Sequence, residues 1–290
     1  MIFKSIAGED FLQWRKKMIL QGGRKVDFDW LLDIAAGVSW TKLQSIILNP
    51  EHLIFLDISL EELEVIWESH LKDHIPLQYL LSKCPWRDME LEVSAEALIP
   101  RQETESLIDF ALKKVPNIDY GRWADLGTGS GPIAISLAKS LTNWNGHASD
   151  ISYEALNLAK RNLKSILPNA NVRFSLGDWW EPLKKWWGSF DLVLSNPPYI
   201  PSDLIEELDP VVKNHEPRIA LDGGKDGMNA SRKIILGALT GLAKGGWLIL
   251  EHHYDQSEKI TDFMKNIGME EISSEKDLSG IKRYAICRKQ

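Results

Sequence analysis

The run Trp123-Ala124-Asp125-Leu126 breaks at once into Gly127-Thr128-Gly129-Ser130-Gly131 and continues as Ile133-Ala134-Ile135-Ser136-Leu137-Ala138-Lys139, which leaves this chain few folds. An apolar strand that turns through glycines into helical spacing is the entry to a nucleotide-type α/β site. Glycines permit positive φ and let the backbone approach a ligand closely. Pro132 falls in the first helical turn, where its missing N–H costs little. The next acidic strand end is Asp150, in Gly146-His147-Ala148-Ser149-Asp150, and its carboxylate can accept both hydroxyls of a ribose. The plainer reading of the glycines alone is a tight turn without a ligand; Asp125 and Asp150 weigh against it.

Two cofactor classes fit this much, dinucleotides and S-adenosylmethionine. A dinucleotide fingerprint needs Gly-x-Gly-x-x-Gly, and Pro132 occupies its third glycine position. Asp125 would place negative charge where a pyrophosphate should lie, but it suits the ammonium of a methionine moiety. A third strand, Val172-Arg173-Phe174-Ser175-Leu176, ends in Gly177-Asp178-Trp179-Trp180. There Asp178 can hydrogen-bond an adenine edge and Trp179 can stack on it. In a chain with twelve Trp, ordinary packing competes with that role, more strongly for Trp180 than for Trp179.

A fourth strand, Phe190-Asp191-Leu192-Val193-Leu194-Ser195, runs into Asn196-Pro197-Pro198-Tyr199. An amide nitrogen is a poor nucleophile because its lone pair is delocalised. A site can accept both amide hydrogens, here through the Asn196 side-chain oxygen and the Pro197 carbonyl, and leave the lone pair aimed at a methyl donor. Pro197 and Pro198 fix φ and remove two N–H donors, so the backbone offers acceptors in a stiff geometry. Tyr199 supplies a flat wall for a planar group. Taken alone, the tetrapeptide reads equally well as a loop. Four such strand ends in order, on the edge where open α/β sheets bind ligands, favour an S-adenosylmethionine methyltransferase.

From about Pro76 to the C-terminus the chain resembles the HemK/PrmC family of protein-(glutamine-N5) methyltransferases, which modify class 1 peptide chain release factors. The resemblance rests on Pro76-Leu77-Gln78-Tyr79, Ile99-Pro100-Arg101-Gln102-Glu103-Thr104-Glu105, Asp125 to Gly131, Asn196-Pro197-Pro198-Tyr199-Ile200, and Glu216-Pro217-Arg218 to Gly227. Asn-Pro-Pro-Tyr is shared with adenine-N6 and other amino methyltransferases, so it speaks for chemistry rather than substrate. The Thr104-Glu105 ending favours release factors over a sister branch that acts on a large-subunit ribosomal protein. The resemblance implies that the target is the Gln of a Gly-Gly-Gln motif. The chain departs from the family pattern at Ser82 and at His253, where glycine is usual.

Composition narrows the partners. With 44% hydrophobic and 26% charged residues and a net charge of −7, the 290-residue chain reads as an ordinary soluble globular protein. The acidic balance argues against wrapping nucleic acid through its phosphates. No apolar run approaches ~20 residues and no amino-terminal signal pattern is present, so no membrane is expected and the cytoplasm is the default. Cys84 and Cys287 give neither a disulfide framework nor a metal-site spacing. His252 and His253 lack a third ligand at sensible spacing, so no metal is expected. Arg15-Lys16-Lys17 and Lys184-Lys185 read as solvated surface.

Periodicity divides the chain into three. Residues 1–84 show helical spacing with no strong strand and read as a small domain for recognising the release factor. Within it Ser59 and Glu62 form a capping-box signature, and Asn49-Pro50 and Ile75-Pro76 break the segments. Residues 85–102 form a connector with a short hairpin, because Met89 to Val93 alternates. Residues 103–290 alternate strand and helix, as in a Rossmann-like seven-stranded methyltransferase domain, and the runs around Ser279-Gly280 suit a final antiparallel pair.

The resulting expectation is α/β architecture, a monomer, and methyl transfer from S-adenosylmethionine to a glutamine amide. Asn196, Pro197, Pro198 and Tyr199 hold the acceptor; Asp125, Gly127, Thr128, Gly129, Ser130, Gly131, Asp150, Asp178, Trp179 and Asn196 hold the cofactor. An N5-glutamine methyltransferase of a ribosomal protein is the first alternative. An adenine-N6 nucleic-acid methyltransferase would need a basic groove and room for a flipped base. An idle binding module would have no use for Asp125, Asp150 and Asn196 together.

Overall fold

The computed structural model describes residues 4–115 and 119–290. The chain forms two compact units, Met1–Ser82 with Pro210–His215, and Lys83–Asp209 with Glu216–Gln290. The first unit contains β1 (Lys4–Ala7), α1 (Gly8–Leu20), α2 (Lys25–Ala36), α3 (Trp40–Leu48), β2 (Leu53–Leu56), α4 (Leu60–Asp73) and α5 (Leu77–Leu81).

Local chemistry sets the ends of these helices. Gly37, at φ 64, closes α2 in the left-handed region, where a residue without Cβ avoids strain. Ser59 and Glu62 cap α4 reciprocally, as their spacing predicts. Phe11, Phe28, Leu31, Leu32, Leu63 and Trp67 are wholly buried in a core of their own, each worth about 1.5–3 kcal/mol relative to exposure.

The spacing of residues 1–84 predicts no strong strand, yet β1 and β2 pair antiparallel, Lys4 with Leu56 through Ala7 with Leu53. Strands of four residues are too short to show a clear period, and their partners lie about 50 residues apart, so no local pattern marks them.

The second unit opens with the hairpin β3 (Lys83–Trp86) and β4 (Met89–Glu92), which takes in Lys83 and Cys84 as well as the alternating residues. Then follow α6 (Glu105–Lys114), β5 (Arg122–Leu126), α7 (Pro132–Ser140), β6 (Asn145–Asp150), α8 (Tyr153–Ile166), β7 (Val172–Leu176) and β8 (Phe190–Ser195). The one-turn α9 (Pro210–Lys213) and the two residues after it belong to the first unit, where His215 Nε2 donates to the Asp73 carbonyl at 2.8 Å. A single turn offers no periodicity, so this excursion is invisible in the sequence pattern. The chain ends with α10 (Asn229–Gly241), β9 (Leu242–Glu251), α11 (Ser257–Asn266), β10 (Glu270–Lys276) and β11 (Lys282–Arg288).

One seven-stranded sheet, ordered β10-β11-β9-β8-β5-β6-β7, organises this unit. Strands β9, β8, β5, β6 and β7 run parallel, and β11 is antiparallel to both β9 and β10. Alternation along the strands builds a core on each face. Trp123, Leu192, Leu194, Ile249 and Ile286 pack against α6, α7 and α8, while Ala124, Val193, Leu248, Leu250 and Ala285 pack against α10 and α11. Trp180 lies in the second core and serves packing: a Cβ on Gly237 or Gly241 would come within 2.1 Å of its ring. No single helix among the described residues is long and apolar enough to cross a membrane.

Candidate active site

The carboxyl ends of β5, β6, β7 and β8 converge on a cavity of about 280 Å³ lined by Gly127 to Ser130, Asp150, Asp178, Trp179, Asn196 and Pro198. A parallel sheet delivers every strand end to this edge while backbone hydrogen bonds are completed within the ladder.

The first wall is the glycine turn. Gly127, Gly129 and Gly131 have φ of 74°, 56° and 93°, values costly for any residue with a Cβ. The N–H groups of Gly127 and Thr128 both donate to the Ser149 carbonyl, at 2.8 and 3.0 Å, which ties the turn to β6. Asp125 is wholly buried behind this turn rather than on the cavity wall. Its Oδ2 accepts from Thr128 Oγ1 at 2.6 Å and from Ala134 N at 3.1 Å, fastening the turn to the start of α7. Its Oδ1 is buried without a partner. Burial pushes the Asp125 carboxyl up to about 7, against the pull of the Thr128 and Ala134 donors.

Space around the glycines differs. A Cβ on Gly127 would lie 2.9 Å from Trp179 Cζ3, so the indole rests on the turn, whereas a Cβ on Gly129 would meet nothing nearer than Ala97 Cβ at 3.9 Å. Asn162, buried on α8, donates to the Ser130 carbonyl and to the Glu92 carbonyl, both at 2.9 Å, and accepts from Glu92 N at 2.8 Å. This amide therefore joins the turn to the β3–β4 hairpin.

Asp150 closes β6. Its Oδ2 accepts from Gly129 N and its Oδ1 from Ser152 N, each at 2.9 Å, which leaves one lone-pair direction on each oxygen for a ligand. Burial raises its carboxyl above the usual range, with the Ser152 and Gly129 amides opposing. Asp178 accepts from Lys233 Nζ at 2.9 Å. Trp179, half-buried at φ 44°, turns its ring to the glycines.

At the end of β8, Ser195 Oγ donates to the Leu126 carbonyl at 2.6 Å and locks the acceptor loop to the glycine turn. Asn196 and Pro198 line the cavity and Pro197 is buried beneath them. Asn196 Nδ2 donates to Thr104 Oγ1 at 3.0 Å, and Thr104 Oγ1 lies 2.8 Å from Glu251 Oε2. The Tyr199 hydroxyl approaches Glu251 Oε1 at 3.4 Å, and the Tyr199 carbonyl accepts from Gln256 Nε2 at 2.9 Å. Tyr199, expected as a flat wall, is absent from the cavity lining; its phenol is fastened behind the loop, and burial and the Glu251 charge raise its pKa.

Thr104, Asn162, Glu251 and Gln256 belong to this framework without being among the expected cofactor or acceptor residues. Two more are Arg101 and Glu216, an ion pair at 2.5 Å whose carboxylate also accepts from Ile99 N at 3.1 Å and so secures the Glu216-Pro217-Arg218 loop beside the cavity. Arg101, Thr104 and Glu216 lie within the quoted motifs, whereas Asn162, Glu251 and Gln256 meet their partners only through the fold.

Known proteins resemble this chain in sequence and in fold. Residues 104–207 match the family described as Methyltransferase small domain. A release factor glutamine methyltransferase from Prochlorococcus marinus is 56% identical over 97% of this chain and 96% of its own length. One from Synechocystis is 34% identical over 98% and 97%. Among solved structures, the hMettl16 catalytic domain superposes with a TM-score of 0.56 at 15% identity, covering 82% of this chain and 84% of that one, a likeness of fold alone. The chain belongs to the release factor glutamine methyltransferase family.

Proposed function

We propose that this enzyme uses S-adenosylmethionine to methylate the side-chain amide nitrogen of the glutamine in the Gly-Gly-Gln motif of class 1 peptide chain release factors, in the cytoplasm. One observation carries the reading: Asn196 and Pro198 line the same cavity as the glycine turn, Asp150 and Trp179.

The residues present suit that cofactor. Gly129 leaves an open floor that a Cβ would fill, and Asp125 beneath the turn, in its ionised form, favours a cation over a pyrophosphate. Asp150 has acceptor capacity left for ribose hydroxyls. Asp178 and Trp179 would hold the adenine, one by hydrogen bonding and one by stacking. When bound, S-adenosylmethionine supplies an electrophilic methyl group on its sulfonium.

The chain's own contribution is orientation. Asn196 Oδ1 and the Pro197 carbonyl accept the two hydrogens of the substrate amide, so the nitrogen lone pair is turned toward the cavity. Pro197 and Pro198 hold those acceptors stiffly, and Tyr199, pinned at its hydroxyl and its carbonyl, holds the far end of the loop. Preorganised acceptors of this kind act through placement rather than proton abstraction. The unit containing residues 1–82 would recognise the release factor.

The test is incubation with labelled S-adenosylmethionine and purified release factors, ribosomal proteins and DNA, followed by mass spectrometry. Label on the release-factor glutamine supports the reading; label confined to a ribosomal protein or to adenine overturns it.

A further inference from the structure

We infer that Glu251, acting through Thr104, is a positioning residue that decides which edge of the Asn196 amide meets the substrate. The inference rests on the function proposed above, in which the Asn196 oxygen must face the acceptor amide.

Hydrogen-bond polarity fixes the orientation of the Asn196 amide. Glu251 ends β9 and is 1% exposed, and it is absent from the cavity lining, so it does not meet a substrate there. An ionised carboxylate only accepts. Thr104 has a single hydroxyl hydrogen and stands 2.8 Å from Glu251 Oε2, so that hydrogen goes to the carboxylate. The oxygen of Thr104 is then free only to accept from Asn196, 3.0 Å away, and Asn196 must present its NH2 there. The amide oxygen is left on the opposite edge. An asparagine on a cavity wall with no such constraint could turn over and present donors to a substrate that also needs acceptors.

The surroundings bear this out. Thr104 stands at the N-cap of α6, a position where a threonine hydroxyl ordinarily accepts from the helix amides, yet it makes no capping bond. Its hydroxyl is diverted to the Glu251–Asn196 pair instead. The preceding carbonyl, of Glu103, accepts from the Tyr284 hydroxyl at 2.6 Å, which fixes the backbone that carries Thr104. The second Glu251 oxygen faces the Tyr199 hydroxyl at 3.4 Å, so one carboxylate aligns both ends of the acceptor loop.

Glu251→Gln tests this directly, because it keeps size and hydrogen-bond capacity but adds a donor. Its NH2 can donate to Thr104, which lets the hydroxyl donate to Asn196 and turn the amide over. Turnover on a release factor should fall on the order of 100-fold, the effect of a misplaced reacting group. Cofactor affinity, the KM for the release factor and the melting temperature should stay near wild type. Thr104→Val should lose turnover similarly, Thr104→Ser should recover most of it, and the Glu251→Gln/Thr104→Val double variant should be no worse than the poorer single. Wild-type turnover in Glu251→Gln and Thr104→Val overturns the inference, as do additive losses that track melting temperature. Should Glu251→Gln fail to fold, the Val and Ser variants of Thr104 decide alone. A wild-type enzyme that transfers nothing to release factors overturns the functional reading itself, a result distinct from an active enzyme indifferent to these substitutions.

Discussion

The indole of Trp179 rests on Gly127 so closely that a Cβ at that glycine would come within 2.9 Å of Cζ3. Gly127 also sits at φ 74°, so two independent constraints meet at one residue. Gly127→Ala should cost about 1–2 kcal/mol from the left-handed backbone alone, and the displaced ring should weaken cofactor binding as well. Thermal unfolding and calorimetric titration with S-adenosylmethionine check both effects; an unchanged affinity would remove Trp179 from the cofactor site.

Asp150→Ala should weaken cofactor binding at least ~10-fold, since charge-assisted hydrogen bonds to the ribose are worth roughly 1.5–3 kcal/mol each. The carboxylate also braces Gly129 N and Ser152 N, so a variant whose fold survives is the informative one. Wild-type affinity in that folded variant would mean the ribose lies elsewhere.

The two departures from the family pattern differ physically. Ser82 takes φ 53° at the C-cap of α5, the region where glycine is cheap, whereas His253 has no positive φ and packs its ring 4.3 Å from Tyr254. Ser82→Gly should therefore stabilise the protein by about 0.5–1 kcal/mol, and His253→Gly should not. Urea unfolding of the two variants separates them.

Burial is the main reason the Glu251 carboxyl is pushed up to about 7; the Thr104 and Tyr199 hydroxyls and Arg283 pull it down, and Glu103 pushes it further up. If the ionised form sets the polarity of Thr104, turnover should rise with pH through about 7, and Glu251→Gln should lose that inflection. The stability contribution has the opposite sign. A raised acid pKa favours the protonated native state, so this contribution is complete below about 4.3 and is lost as pH rises through about 7. A wild-type turnover profile with no inflection near neutrality would separate Glu251 ionisation from catalysis.

What could be read in the sequence was whatever the chain encodes locally. The strand–glycine–helix entry at Trp123 to Lys139, the Ser59–Glu62 cap and the antiparallel end around Ser279-Gly280 each carry their signal within a few residues. The cavity residues Gly127 to Ser130, Asp150, Trp179 and Asn196 come together because a parallel sheet aligns strand ends, so order along the chain implied proximity in space. Contacts between side chains far apart in sequence left no such trace. Thr104 and Glu251 are 147 residues apart, Arg101 and Glu216 are 115, and Asn162 reaches Glu92 across 70. Asp125 shows the same limit: its position before the turn was plain, but its burial behind the turn depends on how α7 packs over it.

The most direct test of the account is the turnover of Asn196→Ala on a class 1 release factor, measured with labelled S-adenosylmethionine and located by mass spectrometry. If Asn196 holds the acceptor amide in the transition state, turnover should fall on the order of 100-fold or more. Turnover should fall much more than affinity for the cofactor or the release factor, and Asn196→Asp, which keeps an acceptor oxygen, should retain part of the activity. An alanine variant that labels the same glutamine at near the wild-type rate would contradict the account, however well it binds S-adenosylmethionine.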